Sequence, residues 1–153
     1  ARYNSRDWIP TSLTPTAGAH EMTDLGALVG LAPGSGLPMS GSSMSDQEAL
    51  SYARKHFTHG SFCLVRNWLW LDLDAPTEIL QSLAASQRQP AIIYADTVIY
   101  DSERRWDVGD FVRTSPLHHF ADDFLFSTLN TAYLLLGPGQ RKRTSIENVA
   151  RII

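Results

Sequence analysis

The feature that most limits what this chain can fold into is a train of short apolar runs between Phe62 and Leu136, each cut off by turn-forming residues. FCLV, WLWLDL, AIIY, TVIY, FLF and YLLL are rich in β-branched and aromatic side chains and too short to carry the stripe of a stable helix. The Gly-Pro-basic stretch GPGQRKRTS (137–145) follows them. This pattern predicts an α+β protein: a single compact domain with a curled, mostly antiparallel sheet of about five to seven strands packed with about three helices.

Helix signals flank the train. Ser45 and Glu48 have the spacing of a capping box, and Ala49, Leu50, Ala53 and Phe57 then share one face, which predicts a helix over Ser45 to His59 with Gly60 as its stop. FCLVRNWLWLDL (62–73) reads either as one strand with Cys63, Val65, Leu69 and Leu71 inward or as a hairpin turning at Arg66 and Asn67. The hairpin is preferred because Asn tolerates the left-handed conformation of such turns. Asp74 and Pro76 open a second helix with Ile79, Leu80, Leu83 and Ala84 on its buried stripe. AIIYADTVIYDS (91–102) gives two short strands pivoting near Asp96, SERR (102–105) a turn, and VGDFVRT (108–114) a Gly-Asp turn feeding a strand. FLFST and TAYLLL form a hairpin around Leu129 and Asn130, which Gly137, Pro138 and Gly139 terminate. Thr144 with Glu147 suggests a second capping box, followed by Ile146, Val149, Ala150 and Ile153 on a docking stripe.

Residues 1–44, which include GLAPGSGLPMSGSS (30–43), have too little apolar surface to offset ordering entropy and are expected to form a Gly/Ser/Pro-rich arm, with residues 45–153 as the domain. The single cysteine, Cys63, excludes an internal disulfide and a cysteine-based zinc cage. The longest early apolar run, LGALVGLA (25–32), falls far short of the roughly 20 residues of a membrane span. A cytoplasmic protein without a bound cofactor or metal is expected. Formal net charge is only −3, yet the middle of the chain is acidic and the tail, with Arg141, Lys142, Arg143 and Arg151, is basic. A uniformly basic nucleic-acid binder is excluded.

No cofactor fingerprint or nucleophile motif occurs, so candidate sites rest on local groupings, each with an ordinary alternative. Arg141, Lys142, Arg143, Thr144 and Ser145, leading into a helix N-terminus, would suit a phosphate or nucleic acid; the ordinary reading is a solvated basic turn. His118, His119, Asp122 and Asp123 offer four potential metal ligands or acid-base groups, although adjacent histidines on a strand point opposite ways. His56, His59 and Cys63 read as a helix C-terminus and a buried thiol before they read as a metal site. Asp72 and Asp74 form an acidic pair, with helix capping by Asp74 as the plainer role. Trp68 and Trp70 share one strand face and, with Trp106 and Asp72, make a candidate partner surface if no helix covers them.

The segments LVRNWLWLDL, AIIYADTVIYDS, GDFVRTSPL and NTAYLLLGPGQRKRTS resemble a small domain of unknown function found in pseudomonads, other gammaproteobacteria and their phages, over roughly Ser45 to Ile153. That resemblance implies a bacterial or prophage origin and a self-contained α+β domain, and carries no activity onto any residue. SERRW (102–106) departs from the pattern in lacking a glycine in its turn.

The expectation is therefore a small cytoplasmic protein-interaction or regulatory domain without catalytic residues, whose partner is another protein, such as a basic one, meeting the acidic middle or the Trp face. The alternative is nucleic-acid or phosphate-ligand binding through 137–145. A hydrolase using His118 or His119 with Asp122 or Asp123 is the third reading.

Overall fold

The computed structural model describes residues 36–150. Eight strands and three helices follow in the order β1 (Leu37–Met39), α1 (Asp46–His56), β2 (Ser61–Asp74), α2 (Thr77–Ala85), β3 (Ala91–Asp101), β4 (Val112–Arg113), β5 (His119–Ala121), β6 (Leu125–Ser127), β7 (Thr131–Leu135), β8 (Gly139–Ser145) and α3 (Ile146–Ala150). All strands belong to one sheet, ordered β1-β8-β2-β7-β6-β5, with β3 on β2 and β4 on β3.

Most strand pairs are antiparallel, as expected, but the sheet is mixed, with two parallel pairs. β2 pairs antiparallel with β3 along nearly its whole length, but its other edge is shared by two parallel partners, β7 beside Ser61–Val65 and β8 beside Leu69–Asp74. Residues 131–145 thus run alongside β2 as two successive strands, spending one more residue than β2 at the junction. Gly137 and Pro138 end β7 as expected, but Gly139 starts β8 instead of a loop into a helix. Sequence-adjacent pairing cannot foresee this, because the partners lie about 70 residues apart in the chain. The hairpin of β6 and β7 around Leu129 and Asn130 forms as expected, with Ser127 opposite Ala132.

The preferred hairpin at Arg66 and Asn67 does not form: residues 61–74 are one strand. Asn67 does take the left-handed conformation, at φ 55°, but as a kink inside the strand. The kink changes which residues face inward. Before it Cys63 and Val65 point into the main cluster, and after it Trp68 and Trp70 do, while Leu69 and Leu71 move to the opposite face with Ile92, Tyr94 and Val149. The expected inward set Cys63, Val65, Leu69, Leu71 is therefore split between faces. Likewise 91–101 is one strand, with an irregularity opposite Leu64/Val65 instead of a turn at Asp96.

Residues 112–121 draw the sheet round on itself. Thr114 and Leu117 donate backbone N–H bonds to Ile93 and Ala91 (2.9 and 2.8 Å), while His118 donates to Ser127 on β6 (2.8 Å). Inside the curl lie Trp68, Trp70, Ile93, Val98, Trp106, Val112, Phe126, Tyr133 and Leu135. Outside, Ala49 and Ala53 of α1 cover Phe62, Leu64, Leu134 and Leu136, and Val149 of α3 covers Leu69, Leu71 and Ile92. Burial on both faces explains why β2 reads as an almost unbroken apolar run.

The Ser45 capping box forms in full, Ser45 Oγ accepting from Glu48 N–H (3.1 Å) and Glu48 accepting from Ser45 N–H (2.9 Å). The other caps differ from expectation. Pro76 occupies the N-cap of α2 with no side-chain cap bond, so Asp74 ends β2 and does not cap, and of the stripe Ile79, Leu80, Leu83 and Ala84 only Leu83 is buried. Thr144 is a buried β8 residue, which leaves α3 to start at Ile146. β1 lies within the stretch expected to form the arm, and Ser42 bridges Leu136, because pairing with β8 and β7 supplies order that composition alone does not. Residues 1–35 of the expected arm, together with Arg151 and Ile153, lie outside the described residues.

Candidate functional site

The loop leaving β3 is held more firmly than its exposed sequence suggests. Asp101, 3% exposed, accepts from the backbone N–H of Arg105 (2.6 Å) and from its guanidinium through Nε (3.0 Å) and Nη2 (2.7 Å). Arg105 Nη1 donates to Thr131 Oγ1 on β7 (2.7 Å), and its guanidinium lies 4.7 Å from the Trp106 ring centre. Arg104 turns the chain at φ 53°, within the SERRW turn that lacks a glycine. Asp110 closes the distal end by accepting from Asp107 N–H (3.0 Å), and Val98 exchanges backbone bonds with Gly109 (2.8 Å) and Asp110 (2.7 Å). Two-point attachment of this kind fixes a loop by satisfying its backbone groups internally.

The clamp presents one apolar side chain at the tip: Val108 is 75% exposed. The same loop carries exposed Asp107 and half-buried Asp110 on either side of Val108 in sequence, with exposed Arg104 as its unengaged cation, while Glu103 lies 3.8 Å from Arg105 and accepts from Ser61 Oγ. At the base, Tyr100, Asp101, Arg104, Trp106, Asp107 and Val108 line a cavity of about 210 Å³.

A family model for a domain of unknown function, DUF6957, matches residues 40–151. The chain belongs to that family. No curated protein and no solved structure matches it. The DUF6957 match takes in everything from just after β1 through α3, including the clamped loop.

Within this DUF6957 domain the residues singled out from sequence are dispersed. The basic run is a strand: Arg141 is bound bidentately by Asp72 (2.7 and 3.0 Å) and lies 4.8 Å over the Trp70 ring, and Arg143 is paired with Asp74 (2.6 Å). The alternate residues Lys142 and Thr144 are buried, and Ser145 is half-buried at the strand end. The acidic middle and basic tail are thus two sides of one strand pair, and the expected loop at a helix N-terminus is absent. Trp68, Trp70 and Trp106, each 3% exposed, are core residues; the curled sheet itself covers the Trp face that was considered for a partner.

The histidine and acid groups have local duties. His118 Nδ1 lies 2.8 Å from Gln87 O, His119 is exposed on β5, and Asp122 and Asp123 (φ 55° and 63°) form the turn into β6. His56 stacks on Tyr52, ring centres 3.9 Å apart. Cys63 is fully buried; burial pushes its thiol pKa well up, Asp101 adding to the rise and Arg105 opposing it. Among the described residues no three His, Cys, Asp or Glu side chains converge as a metal site, and no helix is long and apolar enough to cross a membrane. Sequence reading treated SERR and VGD as plain turns; the juxtaposition of an Asp with an Arg four residues on was the available signal for the clamp.

Proposed function

We propose that this DUF6957 domain is a non-catalytic protein-recognition module, of bacterial or prophage origin and acting in the cytoplasm, whose contact surface is the loop 101–110. The observation that carries the reading is the Asp101–Arg105 clamp under an exposed Val108. A loop ordered before binding loses little conformational entropy on docking, and an apolar tip inside a charged rim matches the core-and-rim pattern of interfaces. The acidic rim selects a basic partner surface. Val108→Asp and Asp107→Lys sit at exposed positions, so both should keep the wild-type melting temperature. Quantitative pull-down from the source cell with all three proteins is the test. A species bound by the wild type and lost from both variants supports the loop, whereas equal retention by all three, or none by any, rejects it.

A further inference from the structure

We propose that residues 103–108 form a hinged strap that opens as a unit while the sheet stays folded, switching the contact loop between a closed, docking-competent state and an open one. The opening stands on geometry alone, while its consequence for docking rests on the reading of 101–110 as the contact surface. No strand pairing lies in the segment, since β3 ends at Asp101 and β4 begins at Val112. Both of its ends are fixed to the sheet: Ser102 N–H donates to Phe62 O (2.9 Å) and Ser102 Oγ accepts from Phe62 N–H (2.8 Å), while Gly109, at φ 92°, and Asp110 are bonded to Val98. These are the hinges.

Closure depends chiefly on one side chain. In the register of the sheet Cys63 on β2 lies between Asp101 on β3 and Tyr133 on β7, and Ser61 lies beside Thr131. The Arg105 guanidinium holds Asp101 through Nη2 and Thr131 through Nη1, so it spans β2 from one neighbouring strand to the other at the level of Ser61 and Cys63. Glu103 adds a bond from Ser61 Oγ, and Trp106 joins Cys63 in the same buried cluster. Against closure stand Arg104, a non-glycine residue held at φ 53°, the buried Trp106 indole N–H, which has no hydrogen-bond partner among the described residues, and a cavity of about 210 Å³ left at the base of the loop. Opening relieves all of these and breaks no strand pairing. Its cost is the Arg105 bonds and the exposure of Trp106, which makes the open state the minor one and uncovers Cys63.

The test uses the full chain, with its single cysteine as reporter. An aromatic disulfide reagent exchanges with the Cys63 thiolate, forming one mixed disulfide and releasing one coloured thiolate, and the rate is followed across a urea series beside global unfolding by circular dichroism. At low urea the logarithm of the rate should rise with roughly half the slope of global unfolding or less, because the slope scales with the surface exposed. Thr131→Val removes the acceptor of Arg105 Nη1 at nearly constant volume and should speed the low-urea reaction about tenfold. Arg104→Gly removes the backbone strain of the closed turn and should slow it about threefold. The rates are read without a partner, so the strap can fail while the contact-loop reading stands, and the reverse. A slope equal to that of global unfolding, no reaction ahead of global unfolding, or a low-urea rate that either substitution leaves unchanged overturns the proposal.

Discussion

Arg141 on β8 sits opposite Trp70 across a parallel strand pair and reaches diagonally to Asp72 on β2 through two hydrogen bonds, 2.7 and 3.0 Å long, with the Trp70 indole N–H donating to the same carboxylate at 3.0 Å. Arg143 and Asp74 repeat the relationship two residues on. Each of these two arginines is neutralised by an aspartate about 70 positions earlier, so Arg141 and Arg143 offer little net charge to an outside anion.

Removing the neutralisation should raise the affinity of this strand edge for polyanions. Asp72→Ala with Asp74→Ala frees two guanidinium groups on one edge of the sheet. Retention on a nucleic-acid column should rise at low salt, with the logarithmic salt slope steeper by about 2. The stability cost should stay near or below about 1 kcal/mol per pair, since these pairs are partly exposed and screened. Wild-type retention as strong as that of the double variant would show that the arginines bind anions despite their partners.

Gly139 should tolerate no side chain. A Cβ built there lies 2.5–2.6 Å from three atoms of the Trp68 ring, whose indole N–H is held by Gly137 O (3.2 Å). Gly139→Ala must displace a buried tryptophan, at a cost of about 1–3 kcal/mol. Urea denaturation measures the loss, and Trp68→Leu in the same chain should leave Gly139→Ala nearly neutral, a coupling that two independent sites would not show.

Asp101 should be the most sensitive polar residue of the loop. Asp101→Asn leaves the Arg105 guanidinium, only 15% exposed, with the looser 3.8 Å contact to Glu103 in place of its close anion, a change worth up to about 3–5 kcal/mol when a buried pair is broken from one side. The clamp and the loop should fail together. Trypsin cleavage after Arg104 or Arg105 in the native state, absent from the wild type, reports the loop, and urea denaturation reports the stability. A variant as stable and as resistant as the wild type would mean that the clamp holds nothing.

Stability should fall at both ends of the pH scale for identifiable reasons. The capping bonds from Ser45 hold the Glu48 carboxyl below its usual range, so its contribution is present above the unfolded carboxylate pKa and is lost as pH falls through the lower folded value. Burial raises the Cys63 thiol, so the folded protein keeps a proton that the unfolded chain releases above about pH 8.5, and stability declines as pH rises beyond that. Glu48→Gln should flatten the acid limb and Cys63→Ala the alkaline limb of a plot of unfolding free energy against pH. A pH profile unchanged by either substitution would contradict the assignment.

The helix α1, its capping box and the β6–β7 hairpin were legible because their signals are local: Ser45 to Glu48 spans one helical turn, and Leu129-Asn130 joins two adjacent apolar runs. The face assignment of β2 was not legible. One left-handed residue, Asn67, shifts the two-residue alternation by one position, and nothing in the apolar pattern records it. The site was harder still. The Arg, Trp and Asp residues that drew notice form pairs and core contacts, while the clamped loop was visible only as a turn.

By itself the sequence determined the kind of fold: a β-rich single domain with a capped leading helix, since these follow from local spacing and composition. Only the tertiary structure decided that β7 and β8 run parallel to β2, that the tryptophans lie inside the curl, that the arginines meet the aspartates, and that Arg105 reaches Asp101 and Thr131 together. The physical reason is the range of the interaction. Hydrogen-bond caps and turns are settled within a few residues, whereas strand partners and charge pairs about 70 residues apart are chosen by which arrangement buries the most apolar surface at once.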